Sequence, residues 1–341
     1  MLILGVETSC DETAAAVVRD GREVMSNAVA SQDELHAKFG GVVPEVACRA
    51  HIETITYLIG EALSEAGVRP DDLAAVAAVN GPGLVGALLI GLTAAKTFAW
   101  CHKLPLVPVN HVAAHVYAAN LLPRELEYPV VGLVASGGHT SLCHAAGPAE
   151  VRFVGSTIDD AAGEAFDKAA RILGLGYPGG PAIQSAAGRG NPSKVRFPRS
   201  LLKPGSLDFS FSGLKTAVLY HVCGQDGSEQ NASEPGGQDI ADVAASFQEA
   251  VVDVLIKKSL AACDRYACPR LTIGGGVAAN KRLREKLERA AKKEDVALFL
   301  PELKYCTDNA AMVAGVAFHL YEAGEAAPLD LDAVPQLSGL Q

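Results

Sequence analysis

The sequence predicts a duplicated α/β fold with two lobes that binds a nucleotide-like ligand, and three observations predict it. First, strand-like and helix-like segments alternate along the 341 residues. Second, an offset of 128 residues places "LILGVETSCDETA" on "VVGLVASGGHTSL", so that Thr8 lies over Ser136 between an apolar strand and a returning one. Third, glycine-rich turns follow strands at 136–138 and 274–276, where backbone N–H groups can bind phosphate oxygens.

The predicted elements follow one another in a simple order, and their boundaries come from apolar spacing and glycine stops. Strands are predicted at 2–9, 12–21, 73–80, 105–110 and 270–276. Two more are predicted within 128–145, one before and one after the glycine turn. Helices are predicted at 48–67, 84–98, 160–173, 239–264, 278–293 and 307–322. The segment 223–238 is polar and glycine-rich, which is typical of a surface insertion.

The length and the 49% hydrophobic content suit two lobes with substantial cores. We place the N-terminal lobe at 1–127 and the C-terminal lobe at 128–341, with the insertion near 223–238 and the last helix free to pack back on the N-terminal lobe. The start of the chain reaches Glu7 without a basic segment, and no stretch looks apolar enough to cross a membrane. The 8 scattered cysteines form no CxxC pair, which favours reduced thiols and a cytoplasmic protein.

The net charge of −10 argues against a protein that binds nucleic acid through its overall charge. A local patch remains available at 189–205, which favours contact with a polyanion because it has five basic residues and no acidic one. Those residues are Arg189, Lys194, Arg196, Arg199 and Lys203. The basic helix 281–293 contains Glu285 and Glu288 at pairing distance, so it is interpreted as a solvated face.

The stretch "VNHVAAHVY" places His111 and His115 four residues apart, on one face if the stretch is helical. From the residues alone the pair is either two metal ligands or two imidazoles packed in a core. A zinc peptidase would need glutamate directly after the first histidine as general base, and Val112 stands there. The sequence therefore argues against peptidase chemistry.

Nine motifs in order resemble one family. They are "GVETSCDETAAAVV", "KFGGVVPEVACRAHI", "GPGLVGALLIG", "NHVAAHVYA", "LVASGGHT", "DDAAGEAFDKAARILGLGYPGGP", "LDFSFSGLKTAV", "TIGGGVAANKRLR" and "CTDNAAMVA". The chain resembles, from residue 5 to about 314, the bacterial form of the universal transferase that makes N6-threonylcarbamoyladenosine in tRNA. The resemblance implies the actin/Hsp70/sugar-kinase (ASKHA) fold, in which two lobes of duplicated origin surround a nucleotide-binding cleft.

The resemblance implies that His111, His115 and Asp308 bind one divalent metal ion per subunit, with Fe(II) favoured and Zn²⁺ as the alternative. Three such ligands leave coordination positions open, as in a working site. Asp308 has a second interpretation, as the N-cap or first-turn acid of a helix that begins near Thr307.

The resemblance also implies a set of substrate-binding residues: Val134, Ala135, Ser136, Gly137, Gly138, Asp167, Gly180 and Asn280. The turn would offer N–H and hydroxyl groups to a phosphate, Asp167 would accept ribose hydroxyls, and Asn280 would meet a sugar or base edge. Asp167 is otherwise a helix-surface acid beside the pair formed by Glu164 and Lys168. Gln184 stands where some members have aspartate, so no role is assigned to it.

The reaction implied is the attack of an adenosine N6 amine, next to the tRNA anticodon, on the carbonyl of threonylcarbamoyl-adenylate, with release of AMP. Asp11 and Glu12 are the catalytic candidates for base or tRNA-positioning work, although either could simply cap the local turn. Expected partners are tRNA, a paralogue that lacks the metal site and pairs through the N-terminal lobe, and a small P-loop ATPase. The alternatives are a small-molecule kinase of the same fold and a non-catalytic scaffold of a tRNA-modification complex.

Overall fold

Two five-stranded sheets, one in each of two units, organise the fold in a computed structural model that describes residues 1–124, 126–200, 203, 205–224 and 237–336. The first unit comprises Met1–Tyr128, Ala146–Val151 and the chain from Pro301 onward. The second comprises Pro129–Ala145 and Arg152–Leu300. Most of the insertion predicted at 223–238 lies outside the described residues.

The strands are β1 (Leu2–Glu7), β2 (Glu12–Arg19), β3 (Glu23–Ser31), β4 (Ala75–Gly81), β5 (Leu106–Asn110), β6 (Val130–Ala135), β7 (Thr140–Ala145), β8 (Val151–Ser156), β9 (Arg270–Gly274) and β10 (Ala297–Phe299). The helices are α1 (Asp33–Ala37), α2 (Pro44–Ala66), α3 (Val85–His102), α4 (His111–Tyr117), α5 (Ala162–Ile172), α6 (Gly179–Ala187), α7 (Ser212–Cys223), α8 (Gly237–Arg265), α9 (Lys281–Lys293) and α10 (Ala310–Glu322).

The first sheet has the order β3-β2-β1-β4-β5, with β1 antiparallel to β2 and parallel to β4. Successive residues of β1 enter different cores, because side chains alternate across a strand. Ile3 packs in the core on the side of α4 and α10, whereas Leu4 packs in the core formed with α2 and α3. Helix α10 approaches β1 closely at Gly5, where a Cβ atom would lie 2.5 Å from the carbonyl oxygen of Ala310. That contact fixes the start of α10 against the sheet.

The second sheet has the order β10-β9-β6-β7-β8 and repeats the pattern of the first. Strand β6 is antiparallel to β7 and parallel to β9, as β1 is to β2 and β4. The offset of 128 residues carries the bounds of β1 onto those of β6. The duplication predicted from the sequence is thus confirmed at the level of paired strands.

The sequence suggested no segment apolar enough to cross a membrane, but helix α3 meets the length and composition of one. It has 18 residues and a mean hydropathy of 1.2, which makes it long and apolar enough to cross a membrane by length and composition. Its buried face contains Leu88, Leu92 and Ala95, and the last two pack in the core shared with α2. Packing on the first sheet accounts for this buried part of the composition, whereas Val85 and Leu89 of the same helix are exposed.

Candidate functional site

His111 and His115 lie on α4, which begins directly where β5 ends. Asn110 caps this short helix, since its side chain accepts the N–H of Ala113 at 3.0 Å. One helical turn separates the two histidines, and their ring centroids are 4.7 Å apart at 81°. Both residues are buried, with 3% and 0% of their surface exposed. The helical pairing expected from the sequence is therefore present.

Asp308 reaches the same place from the turn before α10. Its Oδ1 lies 3.0 Å from Nε2 of His115 and 3.6 Å from Nε2 of His111. The N-cap of α10 is Asn309, whose side chain accepts the N–H of Met312 at 3.0 Å. The interpretation of Asp308 as the helix cap is therefore wrong, because the neighbouring residue does that work and leaves this carboxylate for the histidines.

The three side chains are close enough together to hold one metal ion. One ligand atom from each of His111, His115 and Asp308 can be chosen so that all lie within 4.8 Å of one another. Bonds of about 2.1 Å place tetrahedral or octahedral ligand atoms roughly 3.0–3.4 Å apart. The two distances from Asp308 Oδ1 fall close to this range, so the nitrogen and oxygen donors present fit a bound divalent cation.

Burial and charge act differently on the two imidazoles. Burial opposes the charged form of His111, but the carboxylates of Asp308 and Glu7 outweigh it and raise its pKa to about 9. For His115, burial dominates, the neighbouring His111 adds repulsion, and the pKa is lowered. Within the cluster, His111 therefore holds a proton more readily than His115 does.

Glu7 and Ser9 are functional candidates that the sequence interpretation missed. The side chain of Glu7 is 0% exposed, and its Oε2 lies 3.0 Å from Nδ1 of His111. Ser9 Oγ lies 3.1 Å from the same nitrogen. The available signal was a glutamate at the end of an otherwise apolar strand, where an unpaired carboxylate would be costly.

The catalytic candidates Asp11 and Glu12 lie where β1 returns into β2. The carbonyl of Asp11 accepts the N–H of Gln32 at 3.2 Å, and Glu12 is the first residue of β2. Burial raises the pKa of the Glu12 carboxyl well above its usual value, and the charges of Asp308 and Asp11 add to the effect. Glu12 thus belongs electrostatically to the surroundings of the histidine cluster.

In the second unit, the predicted phosphate turn joins β6 to β7. Val134 and Ala135 are buried in β6, and the N–H of Ser136 donates to the carbonyl of His139 at 2.7 Å. The hydroxyl oxygen of Ser136 accepts the N–H of His139 at 3.1 Å, so its own hydrogen stays available to donate. A Cβ atom at Gly137 or Gly138 would meet nothing within 4 Å, so this part of the turn is open.

The remaining substrate-binding candidates are placed around helices α5, α6 and α9. Asp167 accepts the N–H of Gly179 through Oδ1 at 2.8 Å, and Gly180 has open space where a Cβ atom would lie. Asn280 caps α9 through Leu283 at 3.0 Å and donates to Gln248 at 2.8 Å. Much of the hydrogen-bonding capacity of Asn280 is therefore used within the fold.

Gln184 has a structural role that the sequence did not indicate. Its Oε1 accepts the N–H of Lys281, the first residue of α9, at 2.7 Å. It also lines a cavity of about 610 Å³, within the range typical of small-molecule sites. Further lining residues of this cavity are Pro181, Gln248, Lys281 and Arg282.

Sequence comparisons match this chain to a family model and to relatives that align over nearly its whole length. Residues 23–315 match the family model described as TsaD, tRNA N6-adenosine threonylcarbamoyltransferase. A protein of that name from Syntrophomonas wolfei is 50% identical over 340 residues, which cover 99% of this chain and 98% of the relative. Another from Bacillus anthracis is 52% identical over 337 residues, covering 98% and 96%.

Structural comparisons agree on the fold. Full-length HypF in its phosphate- and nucleotide-bound form matches 96% of this chain and 56% of its own, with a TM-score of 0.62 and 14% identity. Component A of (R)-2-hydroxyglutaryl-CoA dehydratase from Acidaminococcus fermentans matches 95% and 98%, with a TM-score of 0.57 and 16% identity. At these identities the likeness shows the fold alone, which is the two-lobed α/β architecture predicted from the sequence.

Proposed function

The chain belongs to the tRNA N6-adenosine threonylcarbamoyltransferase family, and we propose that it transfers a threonylcarbamoyl group from threonylcarbamoyl-adenylate to N6 of adenosine in tRNA. The target is the adenosine on the 3′ side of the anticodon in tRNAs that read ANN codons. The N6 nitrogen forms a bond to the carbonyl carbon, the bond from that carbon to the phosphate oxygen breaks, and AMP leaves. One proton is lost from the amine.

The observation that carries this proposal is the buried cluster of His111, His115 and Asp308. Buried charges are generally paired or coordinate a metal, and two imidazoles with a carboxylate at 3.0–3.6 Å form a donor set that suits a divalent cation. A divalent cation held there, with Fe(II) favoured and Zn²⁺ as the alternative, would act as a Lewis acid toward substrate oxygens. The chain's own contribution is to keep the three ligand atoms together and to exclude water from the two imidazoles.

The glycine turn of the second unit is proposed to bind the phosphate of the adenylate. The hydroxyl of Ser136 keeps a hydrogen to donate, and Gly137 and Gly138 are open on the side where a Cβ atom would stand. Asp167, Gly180 and Asn280 complete the proposed substrate-binding set. Asn280 can contribute only the hydrogen-bonding capacity left over from capping α9.

Asp11 and Glu12 are proposed to accept the amine proton or to position the tRNA. The weakly basic N6 amine loses its proton as the new bond forms, so a base close to neutrality suits this step. The raised pKa of Glu12 moves its carboxyl toward that range. Asp11 and Glu12 are both retained as candidates for the base.

The proposed partners besides tRNA are a paralogue that lacks the metal ligands and a small P-loop ATPase, and the proposed location is the cytoplasm. Support for a protein partner comes from helices α2 and α3, which expose large apolar side chains. These include Ile52 (64% exposed), Tyr57 (78%), Val85 (54%) and Leu89 (43%). Exposed apolar groups on two neighbouring helices are typical of an interaction surface.

Mass spectrometry of tRNA nucleosides tests the proposal, after incubation of the chain with unmodified tRNA, threonylcarbamoyl-adenylate and the helper proteins. We expect threonylcarbamoyladenosine to form with the unsubstituted chain and to fall at least a hundredfold with His111→Ala. A parallel reaction with labelled ATP and small alcohols or acids tests the kinase alternative. Transfer of the γ-phosphate without modified nucleoside would contradict the proposal, and so would RNA binding without any turnover.

A further inference from the structure

Glu7 ends strand β1 with a fully buried carboxylate, and each of its two oxygens has a partner. Oε1 accepts the backbone N–H of Ser9, and Oε2 lies 3.0 Å from Nδ1 of His111. An ionised carboxylate in such a place is costly unless both oxygens are bonded. The partners of Glu7 therefore explain how the residue is tolerated, and they connect β1 with the first histidine of α4.

The hydrogen on the His111 ring is fixed by what faces Nδ1. The carboxylate of Glu7 can only accept a hydrogen bond, so Nδ1 must be the nitrogen that carries the hydrogen. Ser9 Oγ, at 3.1 Å, can accept from the same nitrogen. Metal binding requires the deprotonated ring, and with its one N–H at Nδ1 the His111 imidazole then presents the lone pair of Nε2. That nitrogen is the one that faces Asp308 at 3.6 Å.

His115 lacks a corresponding arrangement. Its Nε2 lies 3.0 Å from Asp308 Oδ1, but its Nδ1 is buried and has no hydrogen-bond partner among the residues the structure describes. The fold therefore places an acceptor at Nδ1 of His111 and none, among the described residues, at Nδ1 of His115. Metal-binding histidines generally donate their second N–H to a carboxylate or carbonyl, which orients the ring and strengthens the ligand.

We propose that Glu7 is a positioning residue that holds His111 in the Nδ1–H tautomer and thereby sets the affinity of the cluster for a divalent cation. The inference rests on the metal centre proposed above and adds the residue that prepares its first ligand. Loss of such an outer partner typically lowers metal affinity by about 10–100-fold. Ser9 Oγ offers a second acceptor for the Nδ1–H of His111. Its contribution should be smaller, because a hydroxyl is a weaker acceptor than the carboxylate of Glu7.

Glu7→Gln is the most direct variant. The glutamine amide has nearly the same shape, but it can either accept from Nδ1–H or donate to an unprotonated Nδ1, so it no longer selects one tautomer. Zn²⁺ affinity is measured by competition with a chelator, and the His111 tautomer is read from ¹⁵N resonances of histidine-labelled protein without added metal, at a pH above the raised pKa of His111, where its ring is neutral. We expect a roughly 10–100-fold weaker Zn²⁺ affinity and a mixture of tautomers at His111, with a smaller loss for Ser9→Ala.

Asp242→Asn is the matched control. Asp242 is also a buried carboxylate that accepts a backbone N–H, from Asn191 at 2.7 Å, but it lies in the second unit. Its substitution should leave Zn²⁺ affinity and the His111 resonances unchanged. Glu7→Asp serves if Glu7→Gln does not fold, because it keeps the charge but withdraws it from the ring by one methylene. It should also weaken Zn²⁺ binding.

Unchanged Zn²⁺ affinity, within about twofold, together with a retained Nδ1–H at His111 in Glu7→Gln would overturn the role of Glu7. Failure of the metal centre itself looks different. In that case the unsubstituted protein and His111→Ala bind Zn²⁺ equally poorly. The ¹⁵N resonances still decide the role of Glu7 then, because the tautomer is read without metal: a single Nδ1–H form that disappears in Glu7→Gln supports it, and an unchanged form contradicts it.

Discussion

The phosphate binding proposed for the turn between β6 and β7 depends on single hydroxyl and backbone N–H groups. Ser136 uses its N–H and one lone pair inside the turn, whereas Gly137 and Gly138 face open space. A phosphate would therefore be held by the hydroxyl hydrogen of Ser136 and by the close approach that the two glycines permit. The backbone hydrogen bond that closes the turn does not depend on either feature.

The double substitution Ser136→Ala with Gly137→Val tests this assignment. It removes one donor and covers the open side of the turn, so we expect an adenylate analogue to bind at least about tenfold more weakly, as for the loss of a hydrogen bond to a charged group. The melting temperature should stay near that of the unsubstituted protein, because a Cβ atom at Gly137 meets no neighbour. Equal binding of the analogue would assign the phosphate to another part of the chain.

At the scale of secondary-structure elements, the packing of α10 on β1 brings Asp308 to the histidines. The contact depends on Gly5, where a Cβ atom would approach Ala310 and Ala314 to within 2.5–2.9 Å. Since the neighbours are backbone atoms and a helical Cβ, relief requires movement of the helix rather than of a side-chain end. Asp308 lies two residues before Ala310 and would move with it.

Gly5→Ala should therefore reduce stability by about 1–3 kcal/mol and reduce metal content at the same time. Gly60→Ala is the matched control, because Gly60 is exposed within α2 and has nothing within 4 Å of its Cβ position. Alanine there should stabilise by about 0.5–1 kcal/mol. Denaturant unfolding and elemental analysis of both variants check the prediction, and normal metal content in a destabilised Gly5→Ala would separate packing from the site.

Helices α8 and α9 are joined by a carboxylate held by two basic side chains. Glu249 accepts from Arg282 at 2.7 Å and also pairs with Lys286. Burial works against the ionised form, but the hydrogen bonds and charges of Arg282 and Lys286 prevail and lower the pKa of Glu249 to about 2. A depressed folded-state pKa gives stability that is present above the unfolded value, near 4.3, and is lost as the pH falls toward about 2.

Glu249→Gln should accordingly destabilise the protein at pH 7 by about 1 kcal/mol, a figure discounted for solvent screening. The difference from the unsubstituted protein should shrink between about pH 4 and pH 2, where the carboxylate becomes protonated in both states. Urea unfolding at several pH values measures this. A difference that stays constant down to about pH 2 would mean that the ion pairs contribute nothing and that packing accounts for the effect.

At the scale of the whole molecule, binding of a polyanion by a chain with a net charge of −10 requires a local basic surface. Within the stretch 189–205, Lys194 and Arg196 are exposed, but Arg199 bonds to Asp253 at 3.0 Å. Arg199 thus has a structural use, and reversing its charge would place two carboxylates together. The exposed residues are the ones suited to contact tRNA.

Lys194→Glu with Arg196→Glu should weaken tRNA binding and flatten its dependence on salt. For every phosphate that the variant no longer neutralises, the slope of log K against log salt concentration should become shallower by roughly 0.7–0.9. Filter binding over a range of salt concentrations measures the slope, with Lys292→Glu and Lys293→Glu at the end of α9 as charge-matched controls. An unchanged slope would assign tRNA recognition to another face or to a partner protein.

Apolar periodicity and the internal duplication predicted much of the two sheets. Strands without a regular apolar pattern were not predicted. The offset that aligned β1 with β6 rests on regular apolar patterning, whereas β3 contains Ser26 and Asn27 and gives no such pattern. Those polar residues are used in tertiary contacts, as when Asn27 accepts the N–H of Ala311 at 3.2 Å. Strand β10 has only 3 residues, too few for a period to show.

The sequence predicted only part of the candidate site. The spacing of His111 and His115 indicated a common helical face, and the resemblance supplied Asp308. The bonds from Glu7 to His111 and from Gln184 to Lys281 join residues far apart in the sequence, so local patterns carry no trace of them. The cap of α10 was misjudged by one residue, since Asp308 and Asn309 are both good caps and only the fold distinguishes them.

Elemental analysis of purified Asp308→Asn protein tests the proposed metal centre most directly. Asparagine keeps the shape of the side chain but removes the charge that favours a divalent cation, and Asn309 continues to cap α10. We expect metal content to fall from about one ion per chain to a small fraction of that, with transfer activity lost and circular dichroism unchanged, while Asp332→Asn, an exposed control, keeps its metal. Full metal occupancy with normal transfer activity in Asp308→Asn would contradict the proposal. It would favour the alternative in which both histidines are packed in the core without a metal.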